Sequence, residues 1–152
     1  MEQVMAVAAV LYQKYQQRNS KGYMDEMKMH KLMYFVQRES YIKNNAPMFE
    51  EDFYGWKYGP VLKSIRSAYM EKIDFSKQNV KLCPENETLV MDVLHKYGML
   101  KSWKLSALTH REKSWLYSRK GLDNGENGDV MILKEHILLD AQNEKLNREM
   151  EV

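Results

Sequence analysis

His110 and Glu112 are the residues whose types and spacing best suit proton transfer, a histidine and a carboxylate two positions apart. General acid–base chemistry needs both groups within hydrogen-bond reach of one reacting centre. On a continuous helix, side chains two apart point about 200° from one another, so the pair converges only if the helix breaks at Arg111. A histidine at a helix end more simply satisfies carbonyls or bonds a neighbouring carboxylate, and that structural role is the expectation for His110. His30, His95 and His136 sit singly on other predicted helices. Zinc sites announce themselves by close Cys and His pairs, so no metal is expected. Cys83, the lone cysteine, precedes a proline with no motif around it. No serine stands in a nucleophile elbow, and neither phosphate-binding glycine pattern occurs. The residues read as a protein without catalysis or cofactor.

Recognition is the better-supplied chemistry. Phe53-Tyr54-Gly55-Trp56-Lys57-Tyr58-Gly59-Pro60-Val61 crowds four aromatic rings against two glycines and a proline. Gly and Pro punctuate the backbone, so these rings are expected at a turn. Trp and Tyr dominate binding hot spots, yet they also fill small cores, burying roughly 150–250 Å² each. Trp56, Trp103 and Trp115 are expected mainly in the core, while Tyr54 and Tyr58, flanking glycines, are candidates for partner contact. Met24, Met27, Met29 and Met33 lie on more than one face of a single helix, so at least one is expected to be exposed; Met29 is taken as a contact. Trp103, His110, Glu112, Lys101 and Lys104 complete the candidate partner-binding set.

The elements that must position them are nearly all helical. Val4, Val7, Ala8, Leu11, Tyr12 and Tyr15 recur at helical spacing, which predicts a helix over residues 2–17. Asn19-Ser20-Lys21-Gly22 breaks it. Asp25 caps a second helix running to Asn44, whose Leu32-Met33-Tyr34-Phe35-Val36 run is apolar around most of its circumference and belongs at the centre of a bundle. A short extended piece or small hairpin is expected near residues 53–57 and 129–132. Pro60 is read as the first position of a helix over 60–70. Further helices are expected over residues 84–98, ending at Gly98, then from Ser102 and from Ser114 as caps, and over 133–150. That last helix should bury Ile137, Leu138, Ala141, Leu146 and Met150. Residues 121–129, with three glycines and two asparagines, are expected to be a mobile loop. The fold class is mainly α: one compact domain over 1–152, a bundle of six or seven helices.

Composition bounds the rest. Of 152 residues, 44% are hydrophobic and 29% charged, which argues against disorder. No apolar run approaches the ~18 residues of a membrane span, and Glu2 replaces the positive start of a secretory signal. One cysteine gives no sign of an oxidising compartment, so the chain reads as cytoplasmic. Net charge is +2, but unevenly placed. Lys101, Lys104, Arg111, Lys113, Arg119 and Lys120 face the single anion Glu112 over residues 97–120, and eight carboxylates face three cations beyond residue 121. The acidic last helix is expected to pack across the basic segment and neutralise it; the alternative is an attractor for an anionic partner.

Four strings in order carry a resemblance: Lys28-Met29-His30-Lys31-Leu32-Met33-Tyr34-Phe35, then Gly55-Trp56-Lys57-Tyr58-Gly59-Pro60-Val61, then Tyr97-Gly98, then Leu105-Ser106-Ala107-Leu108-Thr109-His110-Arg111-Glu112-Lys113-Ser114-Trp115. They resemble the Panacea domain of SocA-like antitoxins, also met as GepA-like phage-associated proteins. The chain departs from that pattern at His30, Gly55 and Ser114, where Gln, Ala and Pro are common. The resemblance implies a helical antitoxin encoded beside a toxin gene, often on a prophage, that neutralises by protein–protein contact. It also implies that Lys31, Leu32, Tyr34, Trp56, Gly59, Pro60 and Trp115 are structural. A DNA-binding autoregulator using Lys101 and Lys104, or an adaptor delivering the toxin to a protease, are the alternatives. Monomer and homodimer are both left open.

Overall fold

The computed structural model describes residues 1–19 and 22–151. In chain order it contains α1 (Val4–Arg18), α2 (Glu26–Asn44), β1 (Phe53–Trp56), β2 (Gly59–Leu62), α3 (Lys63–Met70), a 3-10 turn at Phe75–Lys77, α4 (Pro84–Tyr97), α5 (Ser102–His110), α6 (Lys113–Ser118) and α7 (Lys134–Met150). The class is mainly α, with one two-stranded hairpin among the described residues. Among the described residues, no helix is long and apolar enough to cross a membrane. Of the expected break after α1, Ser20 and Lys21 lie outside the described residues.

α2 is the axis of the fold. The Asp25 carboxylate accepts the Lys28 amide at 2.8 Å, satisfying an orphan donor of the first turn, and Asn45 closes the helix in the left-handed region at φ 53°. Every residue from Met29 to Tyr41 is buried, as its all-round apolar run predicts. Leu32, Met33 and Val36 join α1, α4 and α7 in one hydrophobic core, and Phe35 stacks on Tyr97 at 4.2 Å. Most of the buried polar side chains of α2 are paired, with Arg38 Nε an exception among the described residues. Gln37 gives its amide to the Phe49 carbonyl at 3.0 Å and accepts the Met48 amide at 2.8 Å, fixing the chain that leads to the hairpin.

The hairpin extends further than the aromatic spacing suggests. Pro60 is not the start of a helix: it pairs with Gly55 inside β2, and α3 begins at Lys63. A ring without an N–H is tolerated there because the Pro60 position faces away from β1, where no ladder bond is needed. Lys57 and Tyr58 form the tip, and Gly59, at φ 133°, absorbs the turn that neither of them takes. On the other side of β1, the Gly55 amide donates to Val130 and the Ile132 amide to Phe53, so residues 130–132 add a partial third strand. Gly55 also lies against α6. A Cβ there would sit 1.8 Å from Ser118 Oγ, so only glycine admits that helix.

Several local expectations are corrected. Ser102 and Ser114 are helical residues and cap nothing; the amides of Lys113 and Ser114 are capped across space by Asp140 of α7, at 3.0 and 2.8 Å. The 121–129 loop is tied down: Arg119 donates to the Asp123 and Glu126 carbonyls at 3.1 and 2.5 Å, and Asp129 accepts Trp56 Nε1 at 2.9 Å. α7 buries Ile137 and Ala141 and half-buries Leu138, but Leu146 and Met150 are exposed because the helix rolls its Asp140, Glu144 and Arg148 side inward. Its carboxylates do not neutralise the basic segment. Glu144 meets Arg38 and Arg148, and no ion pair joins α7 to Lys101, Lys104 or Arg111 among the described residues.

Candidate functional site

A groove of about 550 Å³ opens between the hairpin tip and the start of α2. Trp56, Tyr58, Val61 and Met27 supply apolar walls, Glu26, His30 and Arg66 one end, and Asn127, Gly128 and Asp129 the other. Tyr58 stands 61% exposed, with Lys57 Nζ 5.2 Å from its ring centroid, and Met27 is also open to solvent. Helical spacing explains the methionines: Met29 and Met33 turn into the core, while Met27 turns out. The expectation that Met29 touches a partner is therefore corrected, as it is fully buried.

The groove is held rigidly from behind. The Trp56 indole bonds Asp129, and its carbonyl accepts Trp115 Nε1 at 2.9 Å. Trp115 itself is buried, with His110 stacked on it at 4.3 Å and Arg119 over its face. His30 Nδ1 accepts the Leu62 amide at 3.2 Å, and its Nε2–H donates to Glu26 at 3.1 Å. Burial pushes the His30 pKa down, which keeps the ring neutral and that tautomer in place. Arg66 donates to the other Glu26 oxygen at 2.7 Å. Tyr54 lies half-buried on the opposite side of β1 from Phe53, its ring under Lys63 Nζ at 3.9 Å. Lys31, Leu32, Tyr34, Gly59 and Pro60 are buried beneath this surface.

Both outer edges of the hairpin are closed to strand addition. Pro60 has no N–H, the Leu62 amide is committed to His30, and β1 is occupied by residues 130–132. What the hairpin offers a partner is therefore side chains at its tip and not backbone.

His110 and Glu112 do not converge. α5 ends at His110, as the break at Arg111 requires, but the two side chains leave in different directions. His110 stacks on Trp115; its pKa is lowered by burial, offset in part by a bond to the Tyr58 backbone. Glu112 turns inward to Arg38, which also donates to the Tyr97 hydroxyl at 2.8 Å. Tyr34 gives its one proton to Asp140 at 2.9 Å, so the Ser114 hydroxyl, 2.6 Å away, donates to Tyr34. Arg148 grips Glu39 by two bonds of 2.8 and 2.9 Å. This network joins α2, α4, α6 and α7, and it gives Glu112 a scaffolding position. Among the described residues no group of three His, Cys, Asp or Glu side chains is placed to hold a metal.

Trp103 departs from the core expectation, standing 70% exposed at the start of α5 between exposed Lys101 and Lys104. Arg38, Asp140 and Arg148 escaped sequence reasoning, because ion partners distant in sequence leave no local pattern. Met27 had a usable signal in the helical phase of the methionines. A family model described as antitoxin SocA-like, Panacea domain, matches residues 29–116. No curated protein and no solved structure matches the chain.

Proposed function

The chain belongs to the SocA-like antitoxin, Panacea domain, family, and from that premise we propose that it neutralises a cognate toxin by direct protein–protein binding, without catalysis, and is encoded beside that toxin on a prophage or other mobile element. The observation that carries the contact reading is the groove at the hairpin tip. Tyr58 and Met27 are exposed beside an apolar concavity whose frame is locked by Trp56, Asp129 and the His30–Glu26 pair. A framed apolar hollow with an exposed aromatic at its lip suits capture of an apolar anchor from another protein.

Co-expression with the protein of the adjacent gene tests the reading. Growth rescue and co-purification are expected from the native chain. Tyr58→Ala and Met27→Asp should lose both while keeping the native melting temperature. A native chain that neither rescues nor co-purifies overturns it.

A further inference from the structure

Beyond the groove, the tight turn between α4 and α5 puts two large apolar side chains into solvent. Met99 is 66% exposed and Trp103 70%, and the Trp103 indole has no ring contact or hydrogen bond among the described residues. An indole this bare is unusual in a folded domain, where tryptophan is highly buried on average. Lys101 and Lys104 flank it, exposed and, among the described residues, without ion pairs, and Ala107 continues the same outer face one turn on. Residues 97–111 include no carboxylate, so nothing in this stretch neutralises those cations. α5 then leads directly to the groove. From Trp103 to His110 is two helical turns, about 10 Å, and His110 lies against the Tyr58 backbone. Groove and turn thus fall within one partner footprint of ordinary size, roughly 800 Å² a side.

We propose that this turn is a second anchor of the toxin interface and takes an acidic, apolar segment of the partner protein. Trp103 seats in an apolar socket of that segment, with Met99 beside it, and the segment's carboxylates face Lys101 and Lys104. The thioether of Met99 and the methyl of Ala107 favour a protein over a nucleic acid, whose phosphates would use the lysines and leave the apolar groups idle. The inference rests on the antitoxin reading.

The test is the affinity of the purified chain for the protein of the adjacent gene at 50, 150 and 500 mM salt, with melting temperatures in parallel. Trp103→Ala is expected to weaken binding about tenfold or more at unchanged melting temperature. The double variant Lys101→Glu, Lys104→Glu should bind weakly at 50 mM salt and approach the native affinity at 500 mM, since screening removes the repulsion. If the native chain binds and both variants bind within twofold of it, the second anchor is overturned and the antitoxin reading stands. If the native chain does not bind, both fall. A 24-nucleotide single-stranded or duplex DNA that quenches Trp103 fluorescence, while both variants keep native affinity for the protein, overturns the proposal in favour of a nucleic-acid contact.

Discussion

Burial raises the Glu112 carboxyl from an ordinary 4.5 to about 7, because desolvation outweighs the attraction of Arg38 and Asp140 adds a second negative charge. The folded chain therefore keeps a proton that the unfolded chain releases. Between about pH 4.5 and 7 the native state binds more protons, so this residue's contribution to stability falls as pH rises through that window. His30 acts in the opposite sense. Its folded pKa lies below the usual 6.5, so its contribution is lost as pH falls below that value. The comparison that isolates Glu112 is the native chain against Glu112→Gln, melted from pH 5 to pH 8. The difference in melting temperature, native minus variant, should decline from pH 5 to about pH 7 and level off by pH 8; a difference flat from pH 5 upward would show that Glu112 ionises as an ordinary surface carboxylate. Sequence placed Glu112 beside His110 and suggested shared chemistry. Its real partner, Arg38, lies 74 positions away, and a long-range ion pair has no periodicity or spacing by which to be read.

Elements were legible where periodicity sets them and obscure where tertiary contact does. The phase of α2, its Asp25 cap and its central place follow from residues three and four apart. The caps of α5 and α6 did not, because α6 borrows Asp140 from a helix that begins twenty residues later in the chain, and no local serine is used. Asp140→Ala should therefore cost about 2–4 kcal/mol in urea unfolding, since it strands two amides and the Tyr34 hydroxyl together. Ser114→Ala, which removes one hydroxyl, should cost about 1 kcal/mol. Equal losses would mean that the cap is not Asp140. The hairpin carries a sharper case. Gly55→Ala would drive a methyl into Ser118, and overpacking of that kind costs about 1–3 kcal/mol. Ser118→Gly should recover most of the loss in a double-mutant cycle, because it empties the space the methyl needs. Additive losses would place the strain in the β1 backbone and away from α6.

The whole molecule is wider than its family signature. The matched residues 29–116 contain Tyr58, Met99 and Trp103, so every proposed contact except Met27 lies inside them. They do not contain α1, α7 or the chain of 130–132, and the structure depends on all three. α1 places Val7, Ala8 and Leu11 in the core, residues 130–132 occupy the free edge of β1, and α7 supplies Ile137, Ala141, Asp140, Glu144 and Arg148. Without α7 the buried Arg38 keeps Glu112 but loses Glu144, Tyr34 loses Asp140, and Glu39 is left buried with no arginine. A buried charge deprived of its partner costs about 3–5 kcal/mol, against a total stability of about 5–15 kcal/mol for an ordinary domain. A chain ending at Lys120, which retains the entire matched region, is therefore expected to lose cooperative thermal unfolding and the slow amide exchange of α2. The combined variant Glu39→Gln, Arg148→Gln in the full chain should lose far less, because it removes both charges of one pair and leaves Ile137, Ala141 and the Asp140 cap in place. A residue 1–120 fragment that melts cooperatively near the native temperature would show that α7 is an appendage. The opposite result makes α7 part of the scaffold, holding α2 and α6 in place through the contacts it makes with both.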